Sequence, residues 1–239
     1  QQLSNFRKSN ISSFFKEVRS RIESLGIITL RHPKLSEVRV RGFAISKFPL
    51  PVICVNNEAM TAQIFSMLHE LAHIMLRISA FSGSPFENHL SDQRHRHIEN
   101  WCNRFASDFL VPTSALSKIF PRPERPLSTI SDTEIQHLAE IFCVSNHALM
   151  VKLISTGFVD PSFYWDVKRA QFIEKESERE ATFGKVPYFR RFRTQNGDFY
   201  TSIVLDAWAS GKITNLTAAH SLGIKRINHL KDLADEIAA

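Results

Sequence analysis

The chain is short of cysteine, of tyrosine and tryptophan, and of long apolar runs, and each shortage excludes something. Its three cysteines, Cys54, Cys102 and Cys143, stand far apart in 239 residues. An odd number at wide spacing is no disulfide framework, so a reducing, cytoplasmic compartment is expected. No apolar run reaches the roughly 18 residues a membrane-spanning helix needs, so no membrane partner is expected. The first residues are polar and basic, without the apolar stretch of a signal peptide. They read Gln1-Gln2-Leu3 with no initiator Met, as expected of a piece of a longer protein. Tyr and Trp number three each against nineteen Phe, so the aromatic part of the core is expected to be built from Phe rings.

What remains is an ordinary globular balance, 43% apolar and 23% charged, in a chain long enough for one sizeable domain or two small ones. The net charge of +6 is unevenly placed, because residues 1–50 hold ten Lys/Arg against three Glu. A solvated basic helix face explains that surplus; an acidic partner or nucleic acid is the alternative.

Apolar spacing predicts a helix within residues 3–25, then three strand-like runs at Ile27–Leu30, Val38–Ser46 and Val52–Val55. A second helix is expected from Ala59 to Ile78, a loop over Ser79–Leu90, and a third helix from Asp92 to Leu110. Pro-Arg-Pro-Glu-Arg-Pro-Leu-Ser at 121–128 reads as a linker. Beyond it Ala139, Phe142, Val144, Ser145 and Leu153 are echoed 80 residues later by Ala219, Leu222, Ile224, Lys225 and Leu233. Both copies read as helix-turn-helix-like units. Between them lie the charged face Glu174–Glu180 and the aromatic-basic run Tyr188–Arg193. The expected fold is α+β, a small mixed sheet with a metal-bearing helix followed by a mostly helical C-terminal part. Residues 1–120, 129–158 and 159–239 are the expected divisions.

The chemistry gathers in the second helix, at His69-Glu70-Leu71-Ala72-His73. Residues four apart lie one turn apart on one helix face, with Cβ atoms about 5–6 Å apart, so two imidazoles can reach one ion. Glu70 sits about 100° round the helix, where it flanks the ion and can take a proton from water as general base. Chance alone gives about 0.03 such motifs in a chain of this composition, so context must decide. The flanking Met67, Leu68, Leu71, Ala72, Ile74 and Met75 are apolar, so the histidines interrupt a buried stripe. A hydrogen-bonded pair of buried neutral histidines is the plain alternative. Zn²⁺ suits the donor set but needs a third protein ligand. Glu99, 26 residues after His73 on the third helix, is the leading candidate. Asn103, one turn later, could accept the free ring N–H of a ligand histidine. His95, one turn earlier, could ligate or hydrogen-bond an oxyanion. His89, His97 and Cys102 are weaker candidates.

Together these residues resemble the ImmA/IrrE-type metallopeptidases. The resemblance is carried by Arg41–Ala44, Pro51–Asn56, Phe65–Ile74, Glu99–Ala106, Phe109–Pro112 and Leu138–Ser145, within residues 5–157. Gly211–Thr214 and Ala218–Ile224 resemble C-terminal segments of a subset of that family. The resemblance implies a zincin-like fold with His69, His73 and Glu99 as zinc ligands and Glu70 as general base. It implies that Val52, Ile53, Cys54 and Val55 form the sheet edge that pairs with an extended substrate. It also implies a protein substrate, a helix-turn-helix repressor or toxin encoded nearby. Residues 160–239 carry no recognisable sensor domain, a departure from members that have one. The alternative is an antitoxin-like or transcription-regulatory binding module that keeps its zinc, with DNA contacted through Arg190, Arg191 and Arg193 or the helix-turn-helix-like units.

Overall fold

The computed structural model describes residues 10–32, 35, 40–82, 93–179 and 188–238. His89 and the side chains of Glu176, Glu178 and Glu180 lie outside the described part, as do those of Tyr188 to Arg191. In chain order the elements begin with α1 (Ile11–Glu23), β1 (Ile28–His32), β2 (Gly42–Ile45) and β3 (Val52–Asn56). Next come α2 (Met60–Met75), β4 (Ala80–Ser82), α3 (Gln93–Leu110) and α4 (Thr113–Ile119). Then follow α5 (Asp132–Phe142), α6 (Asn146–Ser155), a π-helical turn (Phe163–Lys168) and α7 (Arg169–Arg179). The last three are α8 (Tyr188–Ala209), α9 (Asn215–Ser221) and α10 (Asn228–Ala238). The α+β expectation holds, with a small mixed sheet and mostly helix. No described helix is by itself long and apolar enough to cross a membrane.

Two compact units interleave along the chain. One comprises residues 1–17, 58–72 and 89–184, the other 18–57, 73–88 and 185–239. They cut across the divisions expected at 120, 129 and 159. The reason is visible in the second unit, where α8 packs along β1, so the C-terminal part contributes to the sheet unit.

In that unit the strand order is β1-β3-β2-β4. β1 runs parallel to β3, while β2 is antiparallel to both β3 and β4. This corrects the expectation for Val52, Ile53, Cys54 and Val55. Each pairs with β1, Val52 opposite Ile28 for example, and each also pairs with β2, so β3 is interior and its backbone is already used on both sides. Ile53, Cys54 and Val55 are all buried, and an unbroken apolar run of this kind suits a strand covered on both faces. The outer strands are β1 and β4. Part of the loop expected at Ser79–Leu90 is strand, because Ala80–Ser82 pairs with β2.

A buried guanidinium ties this unit together. Arg19 donates from Nε to Glu23 (3.1 Å) and Thr29 Oγ1 (2.8 Å), from Nη2 to the Thr29 carbonyl (2.6 Å), and from Nη1 to the Thr194 carbonyl (2.6 Å). Glu23 also accepts from the Phe199 N–H at 3.2 Å. Burial pulls the Arg19 pKa down and the Glu23 charge opposes it, so each charge justifies the other's burial. Between Thr194 and Phe199 the chain kinks at Gly197, with φ 75° and ψ 167°, a region open essentially to glycine alone.

In the other unit Leu110, Leu116, Ile135, Leu149, Met150, Leu153, Phe158 and Tyr164 are buried. Helix α5 starts on a capping box, Ser131 accepting from the Glu134 N–H while the Glu134 carboxylate accepts from Ser131 N. The proline-punctuated segment 121–128 is no free linker, because Leu127 N–H donates to Phe158 O and Leu127 O accepts from Asp160 N–H, both at 2.9 Å.

The repeat at an offset of 80 residues is real at the level of the backbone. Val144 N–H donates to Ala139 O at 3.0 Å, and Ile224 N–H to Ala219 O at 2.8 Å. Both turns carry a left-handed residue, Cys143 at φ 53° and Gly223 at φ 72°. The echoed apolar positions are buried in both copies. Helices α5 and α6 meet at 97°, within the range of helix-turn-helix pairs.

Gly197→Ala should cost more than about 3 kcal/mol, since it adds backbone strain to a Cβ placed 2.7 Å from Arg19 Nη2 and 2.9 Å from Thr29 O. Gly211→Ala, at φ 71° with open space around the new Cβ, should cost only about 1–2 kcal/mol. Urea denaturation of the two variants checks this, and equal losses would remove the Arg19 hub from the account.

Candidate metal centre

Helix α2 is buried almost all round from Gln63 to Ile74, as its largely apolar sequence demands. Inside it His69 is 5% exposed while Glu70 and His73 are fully buried. Three polar side chains in one buried turn are costly unless their polar atoms are used.

The next helix supplies what His69 meets. On α3, Glu99, Cys102, Asn103, Ala106 and Leu110 follow the three-and-four spacing of one face. Asn103 Oδ1 lies 2.9 Å from His69 Nδ1, and an amide oxygen can only accept, so Nδ1 carries the hydrogen. In a neutral ring Nε2 is then the acceptor nitrogen, and it lies 3.1 Å from Glu99 Oε2. Two acceptors that close repel unless a proton or a metal cation lies between them. Ligand atoms on one tetrahedral zinc stand about 3.3–3.8 Å apart for bonds of about 2.0–2.3 Å. At 3.1 Å the pair is slightly closer than that, and the same spacing is an ordinary N–H···O hydrogen bond. A ring nitrogen and a carboxylate are nevertheless both donor types that zinc takes, so the residues present suit the group.

His95, 38% exposed at its side chain, reaches the other Glu99 oxygen at 3.6 Å. His97 is exposed to solvent. The helix carries His73 one turn beyond His69, and the ligand atoms of His69, His73 and Cys102 all lie within 4.8 Å of one another. Cys102 is fully buried. Its thiol is pushed up to about 12, first by burial and then by the charges of Glu99 and Glu70. Without a metal it is a protonated thiol and no nucleophile. Sequence reasoning placed Cys102 below Glu99, although its spacing of three from Glu99 already put both on one face.

The model of the IrrE N-terminal-like domain (Peptidase_M78) matches residues 22–153. The chain belongs to that family. It therefore has a metallopeptidase-type function, and the matched stretch takes in both α2 and α3. The match runs past residue 120 and through most of the segment 129–158, so α5 and most of α6 fall within the family's own domain. No curated protein and no solved structure matches the chain.

Asn103→Leu should weaken zinc affinity by about 10- to 100-fold, the usual cost of losing a partner that orients a ligand histidine. Competition against a chromophoric chelator measures it; an unchanged affinity would mean that His69 needs no help from Asn103.

Proposed function

We propose that the chain is a zinc-dependent endopeptidase that cleaves one intracellular regulator, a helix-turn-helix repressor. The family supports the reaction type, and the observation that carries the reading is the Asn103–His69–Glu99 arrangement, which brings a ring nitrogen within 3.1 Å of a carboxylate oxygen. His69, His73 and Glu99 would hold the metal. A zinc ion held there would supply Lewis acidity, acidifying water and polarising a peptide carbonyl.

The chain's own residues do the rest. Glu70, adjacent to His69 in sequence and fully buried, takes the proton from the attacking water and returns it to the leaving amine. Asn103 fixes the tautomer and orientation of His69. His95, beside Glu99 and partly exposed, would steady a developing oxyanion. None of the three cysteines is in a disulfide, which suits a reducing cytoplasmic setting.

The alternative of a DNA-binding regulatory module is less well supported. Lys152, the only Lys or Arg of α6, is 2% exposed and bonded to Asp108 of α3. Around the second turn, exposed Lys225, Arg226 and Lys231 are offset by the exposed Asp232 and Asp235. Neither surface gathers the concentrated positive charge that phosphate contacts need.

Glu70→Gln should keep zinc and lose cleavage of a co-expressed neighbouring repressor, with a fall in rate of at least about 10²-fold. His73→Ala should lose both zinc and activity. Metal analysis and band patterns of the co-expressed repressor read the outcome. Native-rate cutting by Glu70→Gln would reassign the base, and DNA retention that is salt-sensitive and survives that substitution would favour the binding module.

A further inference from the structure

We propose that Cys102 is a fourth protein ligand of the metal centre, closing the position that hydrolysis needs open, so that the resting protein is a latent peptidase. This rests on the reading of His69, His73 and Glu99 as ligands. Three observations support it. Among the described residues, the Cys102 Sγ forms with His69 and His73 the one group of histidine, cysteine or carboxylate ligand atoms that lie mutually within 4.8 Å; Glu99 is outside that group and approaches it through His69 Nε2, 3.1 Å from its Oε2. It sits one turn from Glu99 on the same face of α3, a regular helix that holds its direction. It is fully buried, so no reorganisation of the surface is needed for it to face the ion.

The chemistry then separates two kinds of site. Zinc bound by three protein groups keeps a place for water, whereas four protein ligands make a closed, structural centre. Thiolate is a strong ligand for zinc, and the charge of the ion reverses the local cost of forming it. With Glu99 drawn in beside His69, the two histidines, that carboxylate and Cys102 would supply the four protein ligands of a closed centre, and water would enter only when the sulfur lets go. Cys54 and Cys143 lie outside this group, so they serve as internal controls.

The test uses the full chain loaded with Co²⁺ or Zn²⁺, and acetohydroxamate as a small zinc-binding probe. The Co²⁺ protein should show a thiolate-to-metal charge-transfer band in the near ultraviolet. Cys54→Ser and Cys143→Ser should keep that band, whereas Cys102→Ser and Cys102→Ala should lose it. X-ray absorption of the Zn²⁺ protein should place sulfur at about 2.3 Å. If the open form is a tenth or less of the wild type, Cys102→Ala should bind acetohydroxamate roughly tenfold or more tightly than wild type. A wild-type cobalt spectrum without the thiolate band overturns the proposal even if Cys102 variants fail to fold. A thiolate band with equal acetohydroxamate affinity in both proteins overturns the latch. A wild type that binds neither ion fails at the earlier step, the metal centre itself.

Discussion

The constraint on which the site depends is electrostatic and local: a histidine lone pair and a carboxylate oxygen held 3.1 Å apart in a buried setting. Two acceptors at that distance repel, so a proton or a metal cation must lie between them. The Asn103 amide sharpens the constraint by fixing the Nδ1 hydrogen, which turns Nε2 toward Glu99. Around it α2 is wrapped in apolar neighbours, so the polar turn is dry and its electrostatics are strong. The same dryness makes the turn expensive to keep, since Glu70 and His73 are fully buried. A fold retains such groups where their chemistry is used.

The sheet unit solves a parallel problem with a different device. Its buried charges are Arg19 and Glu23, and they are satisfied by one another and by backbone carbonyls at Thr29 and Thr194. Gly197 exists in that scheme because the chain must pass close to both side chains in a conformation other residues avoid. This hub stabilises; the histidine turn on α2 is where the proposed chemistry lies. The difference is legible in the donor types: a guanidinium donates to fixed acceptors, whereas His69, His73 and Cys102 bring ligand atoms within 4.8 Å of one another, with the Glu99 carboxylate beside His69.

Much of this was readable from residue order. The metal helix, the α3 face bearing Glu99 and Asn103, and the repeated helix–turn–helix positions all follow from the 3.6-residue period, which places side chains within one element. What failed was pairing between elements. Val52–Val55 was expected at an edge, although its unbroken apolar run and dual pairing belong to an interior strand. Residues 159–239 read as a helical C-terminal region, and nothing in their spacing signals that α8 packs on β1. The contacts that decide this, Arg19 to Thr194 and Phe199 to Glu23, link residues 175 and 176 positions apart. No local pattern announces them.

Cys102 shows the limit from the other side. Its position on the α3 face was computable from spacing alone, but an isolated cysteine on a helix face is most often a small apolar packing group. Only its approach to two imidazoles distinguishes the roles, and that depends on how α3 lies against α2. The same geometry explains why thiol and metal belong in one argument. Burial and the charges of Glu70 and Glu99 hold the thiol protonated at about 12, so an uncharged sulfur there would be mere packing. A divalent ion at the point where the lone pairs converge would change its character and make it the group best able to compete with water.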